Sequence, residues 1–439
     1  MKTISTTAGA TRAGRATHGT TIERLPNGLT LLLRENHANP TISIQGLVKA
    51  GAIFDVPGRS GLARFTAGML DQGAGALDAL ALASAIEDLG ASLHYDGGGE
   101  TVSIRATLLS EDLEKVFEVL ATTLRQPTVP DEQMEKVRAE FLNDVRLAES
   151  TTSSAAARRS SELLYPAGHP FHEHRGGTVA SLRAIAREDL VSFHQRHYRP
   201  DALVLALVGD VTRERALEVV SRAFGDWAAP ATPLVFAVPA APAPARAIRR
   251  AVPMPGRSQA DVVLALPGVA RTAPDYDAAM MMNYILGGAS LSSRLMENLR
   301  DAQGLVYGVY SMLSAGIGAG PFQIRAGTNP ANVERCVTSI LGEIRRFRDE
   351  GPSDAELEAA KGYLTGVFPV RLEANSGVAA QILAVELYGL GVDYLERYES
   401  IVQSIRRDSV ADAARRYLSD QAYVLVVAGD VPAEEAHAV

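Results

Sequence analysis

The sequence predicts an α+β protein made of two homologous halves, and three observations carry that prediction. The chain repeats itself at an offset of about 220 residues. Strand-like and helix-like segments are mixed within each half without strict β–α–β alternation. A proline- and alanine-rich stretch lies between the halves.

The repeat is visible at several places in the same order. ALVLALVGDV at 202–211 matches YVLVVAGDV at 423–431, and SIRATLLSEDLEK at 103–115 matches QIRAGTNPANVER at 323–335. Ile104-Arg105-Ala106 recurs as Ile324-Arg325-Ala326, and RHYRPD at 196–201 stands opposite RRYLSD at 415–420, shifted by one residue. The chain therefore divides into a tail at 1–21, a first half at 22–230, a linker at 231–247 and a second half at 248–439. In the first half LTLLLREN and ISIQGLVKAGA read as opening strands; ADVVLALPG opens the second. EDLEKVFEVLATTLRQ and ANVERCVTSILGEIRRFRDE place apolar residues at helical spacing. PDEQMEKVRAEFLNDVRLAES and PSDAELEAAKGYLTGVF begin after proline with acidic first turns, a helix-start signal. Each half closes on a β-branched strand ending in Gly-Asp-Val.

Composition narrows the function. A chain of 439 residues exceeds what one hydrophobic core usually organises. Its net charge of −8 argues against a general nucleic-acid binder. No apolar run approaches the roughly 20 residues that span a bilayer. The single cysteine, Cys336, excludes an internal disulfide and sits on an apolar helix face, as a buried thiol would. The N-terminal stretch lacks the apolar core of a secretory signal. The protein reads as cytoplasmic, or periplasmic if a leader has been removed.

The segment SGLARFTAGML places Arg64, Ala67 and Gly68 at i, i+3 and i+4 on one helical face. His, Glu and His at those positions would make the inverted zinc motif H-x-x-E-H. This segment, LPNGLTLLLRENHANPTISIQGLVKAGA, the long stretch from YPAGHPFHEHRGG to LALVGDV, and LGGASLSSRLMENLRDAQGLVYGVYS together resemble the pitrilysin/insulinase family of inverzincin peptidases. The resemblance spans roughly residues 22–432 and implies that the two halves form one half of a clamshell.

In that family two histidines bind zinc, the glutamate between them is the general base, and a later glutamate is the third protein ligand. The resemblance puts Arg64 and Gly68 at the histidine positions and Ala67 at the base. Asp144, or Glu140, falls near the third ligand and otherwise reads as solvated helix surface. One carboxylate cannot hold zinc, which needs about three protein ligands, and Arg64 would repel a divalent cation. Gly68 costs about 1 kcal/mol against alanine in a helix; it permits close packing or reflects lost selection.

LRDAQGLVYGVYS keeps Arg300 and Tyr307 at the positions of the family's arginine–tyrosine pair. A phenol and a guanidinium held in a water-poor chamber suit a carbonyl oxygen on which charge develops. The resemblance, which is processing-peptidase-like, then implies a heterodimer. This chain would bind no metal or other cofactor, and a homologous partner with H-x-x-E-H would carry the zinc. Extended peptides would be the substrates. The alternative is a catalytically inert structural or peptide-binding homologue, like core subunits of respiratory complexes.

Other candidates read as structural. HPFHEH at 169–174 lies in a loop, and His194 and His197 lack a third ligand type nearby. DGGGE at 96–100 is a glycine turn without the context of a phosphate loop. GGGETVSIRATLL resembles the family's substrate-binding edge strand, and MMMNYIL reads as core.

Overall fold

A computed structural model describes residues 19–433. The first half runs β1 (Thr20–Arg24), β2 (Thr30–Glu35), β3 (Thr41–Val48), α1 (Leu62–Gly68), the short pair β4 (Gly73–Ala74) and β5 (Leu77–Asp78), and α2 (Ala79–Glu87). It continues through β6 (Ser92–Gly97), β7 (Val102–Leu109), α3 (Leu113–Arg125), α4 (Asp131–Glu149) and α5 (Thr152–Leu164). It ends with α6 (Val179–Ala184), α7 (Arg187–His197), β8 (Leu203–Gly209) and α8 (Arg213–Phe224). Residues 228–247 contain no helix or strand. The second half runs β9 (Ile248–Pro253), β10 (Ala260–Pro267), α9 (Tyr276–Asn283), α10 (Arg294–Met296), β11 (Val306–Ala315), β12 (Ala319–Thr328) and α11 (Val333–Glu350). It finishes with α12 (Asp354–Arg371), α13 (Asn375–Tyr388), α14 (Tyr394–Ser404), α15 (Arg407–Tyr417) and β13 (Val424–Gly429). The tail expected at 1–21 lies outside the described residues up to 18, and β1 begins at Thr20.

Five of the six strands of the first sheet recur in the second in the same order, and β1 is the addition. The first has the order β1-β2-β8-β3-β7-β6 and the second β11-β12-β10-β13-β9. In each, a single parallel pairing interrupts an antiparallel sheet: β2 with β8, and β13 with β9. GGGETVSIRATLL therefore does not supply an edge. β7 pairs with β3 on one side and β6 on the other, so β6 is the edge strand. The sequence reading missed this because SLHYDG is polar and reads weakly as a strand.

Strands β8 and β13 are buried at every position. One face of each sheet packs on its own helices, which is ordinary for α+β layers. The other face is covered by a helix from the opposite half. Ala156, Leu164 and Tyr165, on α5 and just after it, pack against Val263, Ala265, Val424 and Val426 of the second sheet. Val378, Ala379 and Ile382 of α13 pack against Leu32, Leu47, Val204 and Ala206 of the first. The halves thus exchange equivalent helices. Continuous apolar runs such as LVLALVG follow from this double coverage, since no face is left for polar residues. Each buried Leu, Ile or Val contributes about 1.5–3 kcal/mol.

A second contact ties the halves. Glu100, in the β6–β7 turn, accepts hydrogen bonds from the backbone N–H of Ile317 at 2.9 Å and Gly318 at 3.0 Å in the β11–β12 turn. The glycine turn DGGGE thus joins the two equivalent hairpins. Among the described residues no helix is long and apolar enough to cross a membrane.

Candidate functional site

Helix α1 forms because its apolar positions face the core and its first turn is capped from outside. Leu62, Ala63, Phe65, Thr66 and Ala67 are buried. The carboxylate of Asp55 accepts the N–H groups of Gly61 at 2.7 Å and Ala63 at 2.8 Å, two of the donors a helix start leaves unpaired. Burial pushes Asp55 up to about 7, those backbone bonds oppose the rise, and nearby Glu173 adds to it.

Arg64 leaves this face toward α4. Its guanidinium lies over the ring of Phe141 at 3.9 Å and donates to Asp144 Oδ2 at 2.7 Å. Asp144 is therefore not merely solvated surface, as the sequence reading had it, but the counter-ion of Arg64; Glu140 is exposed. The helix can sit this close to β6 because Gly97 has no side chain: a Cβ there would lie 2.4 Å from Arg64 Cα. Gly68 lies beneath Phe141, where a Cβ would come within 3.0 Å of the ring. Close packing is thus the physical reason for that glycine.

These residues do not fit a zinc ion. A guanidinium, a methyl group and a glycine stand where donors would be needed, and the one carboxylate is already paired with a fixed cation. Among the described residues no group of three or more His, Cys, Asp or Glu is placed to hold a metal.

The second half is arranged the other way. Arg300 lies in a π-helical segment, Glu297–Ala302, and is exposed. Leu299 beside it is fully buried and anchors the segment. The segment closes with Gly304 N–H donating to Arg300 O at 2.9 Å and Leu305 N–H to Leu299 O at 2.8 Å. Gly304 takes φ +61°, a left-handed conformation that lets the helix turn directly into β11. Tyr307 follows at an irregularity in the β11–β12 register, between Val306 and Gly308. Such bulges re-aim side chains, and Tyr307 is 74% exposed. Neither its hydroxyl nor the Arg300 guanidinium has a hydrogen-bond or ion-pair partner among the described residues.

The remaining candidates are accounted for by packing. His169 Nε2 meets Pro239 O at 3.0 Å, His172 Nδ1 meets Tyr165 O at 2.8 Å, and His174 Nδ1 accepts the Gly176 N–H at 3.1 Å. Each histidine of HPFHEH thus commits a ring nitrogen to backbone. His194 Nε2 meets Leu124 O at 2.9 Å, and His197 stacks on Phe54 with centroids 4.5 Å apart. Cys336 is fully buried, and burial pushes its thiol up to about 12. Met281 and Met282 are core residues.

Comparison with known proteins agrees with this geometry. Residues 30–166 match the model of the insulinase peptidase family M16, and residues 184–364 match that of the peptidase M16 inactive domain. An uncharacterized zinc protease of Streptomyces coelicolor is 26% identical over 92% of this chain and 88% of its own length. The mitochondrial-processing peptidase subunit beta of Saccharomyces cerevisiae is 24% identical over 94% of this chain and 91% of its own. The crystal structure of a peptidase M16 inactive domain from Pseudomonas fluorescens superposes with a TM-score of 0.88 at 26% identity, covering 95% of this chain and 99% of that one. With two α+β halves of matched topology and an α1 helix stripped of metal donors, the chain belongs to the insulinase, or M16, family of peptidases.

Proposed function

We propose that this chain is the non-metal-binding subunit of a heterodimeric zinc peptidase. In this reading Arg300 and Tyr307 bind the substrate opposite a homologous partner that carries H-x-x-E-H and the zinc. One observation carries it: the chain neutralises its own metal position with Arg64 and Asp144, yet displays Arg300 and Tyr307 without partners among the described residues. An exposed phenol and an exposed guanidinium, each on a well-anchored segment, offer hydrogen-bond donors to a peptide carbonyl as it gains negative charge. A relative that is itself named as one subunit of a peptidase supports the two-chain arrangement.

The test is peptide hydrolysis by this chain alone, by an H-x-x-E-H homologue alone, and by the mixture. Only the mixture is expected to turn over at full rate, and a chelator should silence it without changing the thermal stability of this chain by itself. Stoichiometric zinc and unaided hydrolysis by this chain would end the proposal. Equal turnover by mixtures containing Arg300→Ala or Tyr307→Phe would favour an inert homologue instead.

A further inference from the structure

A cleft of about 660 Å³ lies between α5 and the outer face of β11 and β12, lined by Arg158, Arg159, His174, Met312 and Arg325 among others. Arg158 and Arg159 are each paired with a carboxylate of the same wall, Glu149 at 3.0 Å and Glu162 at 2.7 Å. Arg325 has no carboxylate partner among the described residues. It is nonetheless held in place: its Nε and Nη2 donate to Gln323 Oε1 at 3.2 and 2.7 Å. Gln323, only 3% exposed, donates in turn to Ser160 Oγ of α5 at 3.2 Å, and Ser160 is fully buried. A buried amide and hydroxyl, bridging the two halves, thus fix a guanidinium on the cleft wall while its Nη1 finds no acceptor among the described residues.

The charge of the cleft points to the ligand. Three arginines face two glutamates, which leaves one positive charge. Packing around the ring, and then the guanidinium groups of Arg158, Arg175, Arg64 and Arg325, hold His174 down to about 4 although part of it reaches solvent, so it adds no charge near neutrality. A single anionic group balances this wall, whereas a multiply charged one would meet Glu149 and Glu162. Tyr310, 47% exposed, lies directly across from Arg325, and Met312 lies across from Gln323. The guanidinium therefore has an amphipathic border that suits a peptide. Tyr310 is three residues beyond Tyr307, roughly 10 Å along an extended strand.

We propose that this cleft is a carboxylate subsite in which Arg325 takes an acidic side chain or the C-terminal carboxylate of a bound peptide. Its position, within about three residues of the group held by Tyr307, rests on the reading of Tyr307 above; the binding does not. The repeat-equivalent Arg105 is exposed on the first sheet and among the described residues hydrogen-bonds only Ser103 Oγ, at 3.4 Å, so it makes a matched control.

The test is fluorescence anisotropy on the isolated full chain at low salt, with labelled Gly/Ser peptides of about ten residues. One carries a central Asp and an amidated C-terminus, a second a central Asn and a free carboxylate, and a third a central Asn and an amide. At least one acidic peptide is expected to bind about tenfold or more tightly than the neutral one, the scale of a charge-assisted hydrogen bond. Whichever it is identifies the source of the carboxylate. Arg325→Gln should abolish the preference, Arg325→Lys should keep part of it, and Arg105→Gln should leave it intact, with circular dichroism confirming each fold. Equal binding of all three peptides, or an undiminished preference in both Arg325 variants, would overturn the proposal. Failure here leaves the mixture assay intact; a silent mixture with preserved acidic-peptide binding keeps the subsite and discards the role given to Arg300 and Tyr307.

Discussion

The two halves run equivalent strands in the same order, yet they treat their polar residues in opposite ways. In the first half the arginine of α1 is consumed internally: it stacks on Phe141 and pairs with Asp144. In the second half Arg300 and Tyr307 stand on a π-helical segment and a strand bulge, without a hydrogen-bond or ion-pair partner among the described residues. The repeat therefore fixes apolar positions and sheet order, not the site. A surface becomes chemically available when its polar groups lack an internal partner, and the same fold can close that surface on one side and open it on the other.

The sharpest test of this contrast is in rate. In the assembled peptidase, Tyr307→Phe is expected to lower turnover by about 10²–10³-fold, the scale of one lost oxyanion donor. The stability of the chain should be unchanged, because the side chain is 74% exposed. Arg64→Met in the same mixture should leave turnover near its starting value.

Next comes the exchange of helices, where the halves are alike. Leu164→Ala and Ile382→Ala remove buried side chains, each 4% exposed, that one half contributes to the other. Each is expected to cost about 2–5 kcal/mol, measured by urea unfolding. A large cost for one and none for the other would break the equivalence of the two latches.

An effect of at most similar size concerns pH. Asp55 is raised to about 7 in the folded chain, against roughly 3.9 when unfolded. Between those values the native state holds a proton that the unfolded state has released. The Asp55 contribution to stability should therefore fall as pH rises through that window, by up to about 1.4 kcal/mol per pH unit. His174 and His197, both held down to about 4, act in the opposite direction, so the Asp55 part is read as the difference in urea midpoints between the native chain and Asp55→Asn from pH 4 to 8.

The smallest effect is the Arg64–Asp144 pair itself. Asp144 is 45% exposed, so solvent screens the pair, and a double-mutant cycle with Arg64→Met and Asp144→Ala should give a coupling below about 1 kcal/mol. A coupling of several kcal/mol would mean that this ion pair holds α1 to α4 rather than merely filling a position.

Much of this was legible in the sequence, for identifiable reasons. LVLALVG and VLVVAG announce the strand that closes each half, and the spacing of Arg64, Ala67 and Gly68 announces one helical face without metal donors. What covers those strands was not legible: amphipathic spacing shows that α5 and α13 have an apolar side, not that each lies on the other half's sheet. Asp144 is 80 residues from Arg64, so their bond depends on how α4 packs rather than on any local pattern. The bridge from Ser160 through Gln323 to Arg325 escaped for the same reason. Its sequence trace was the repeated Ile-Arg-Ala, which marked the repeat but gave no hint that the second copy borders a cleft.

The lending of α5 and α13 has a mechanical consequence. A cut within residues 228–247 would leave two fragments still clasped, each wearing a piece of the other, and native gel migration after limited proteolysis should not change. Such a body has no easy hinge between its own lobes, so the two halves carry any load on one of them together.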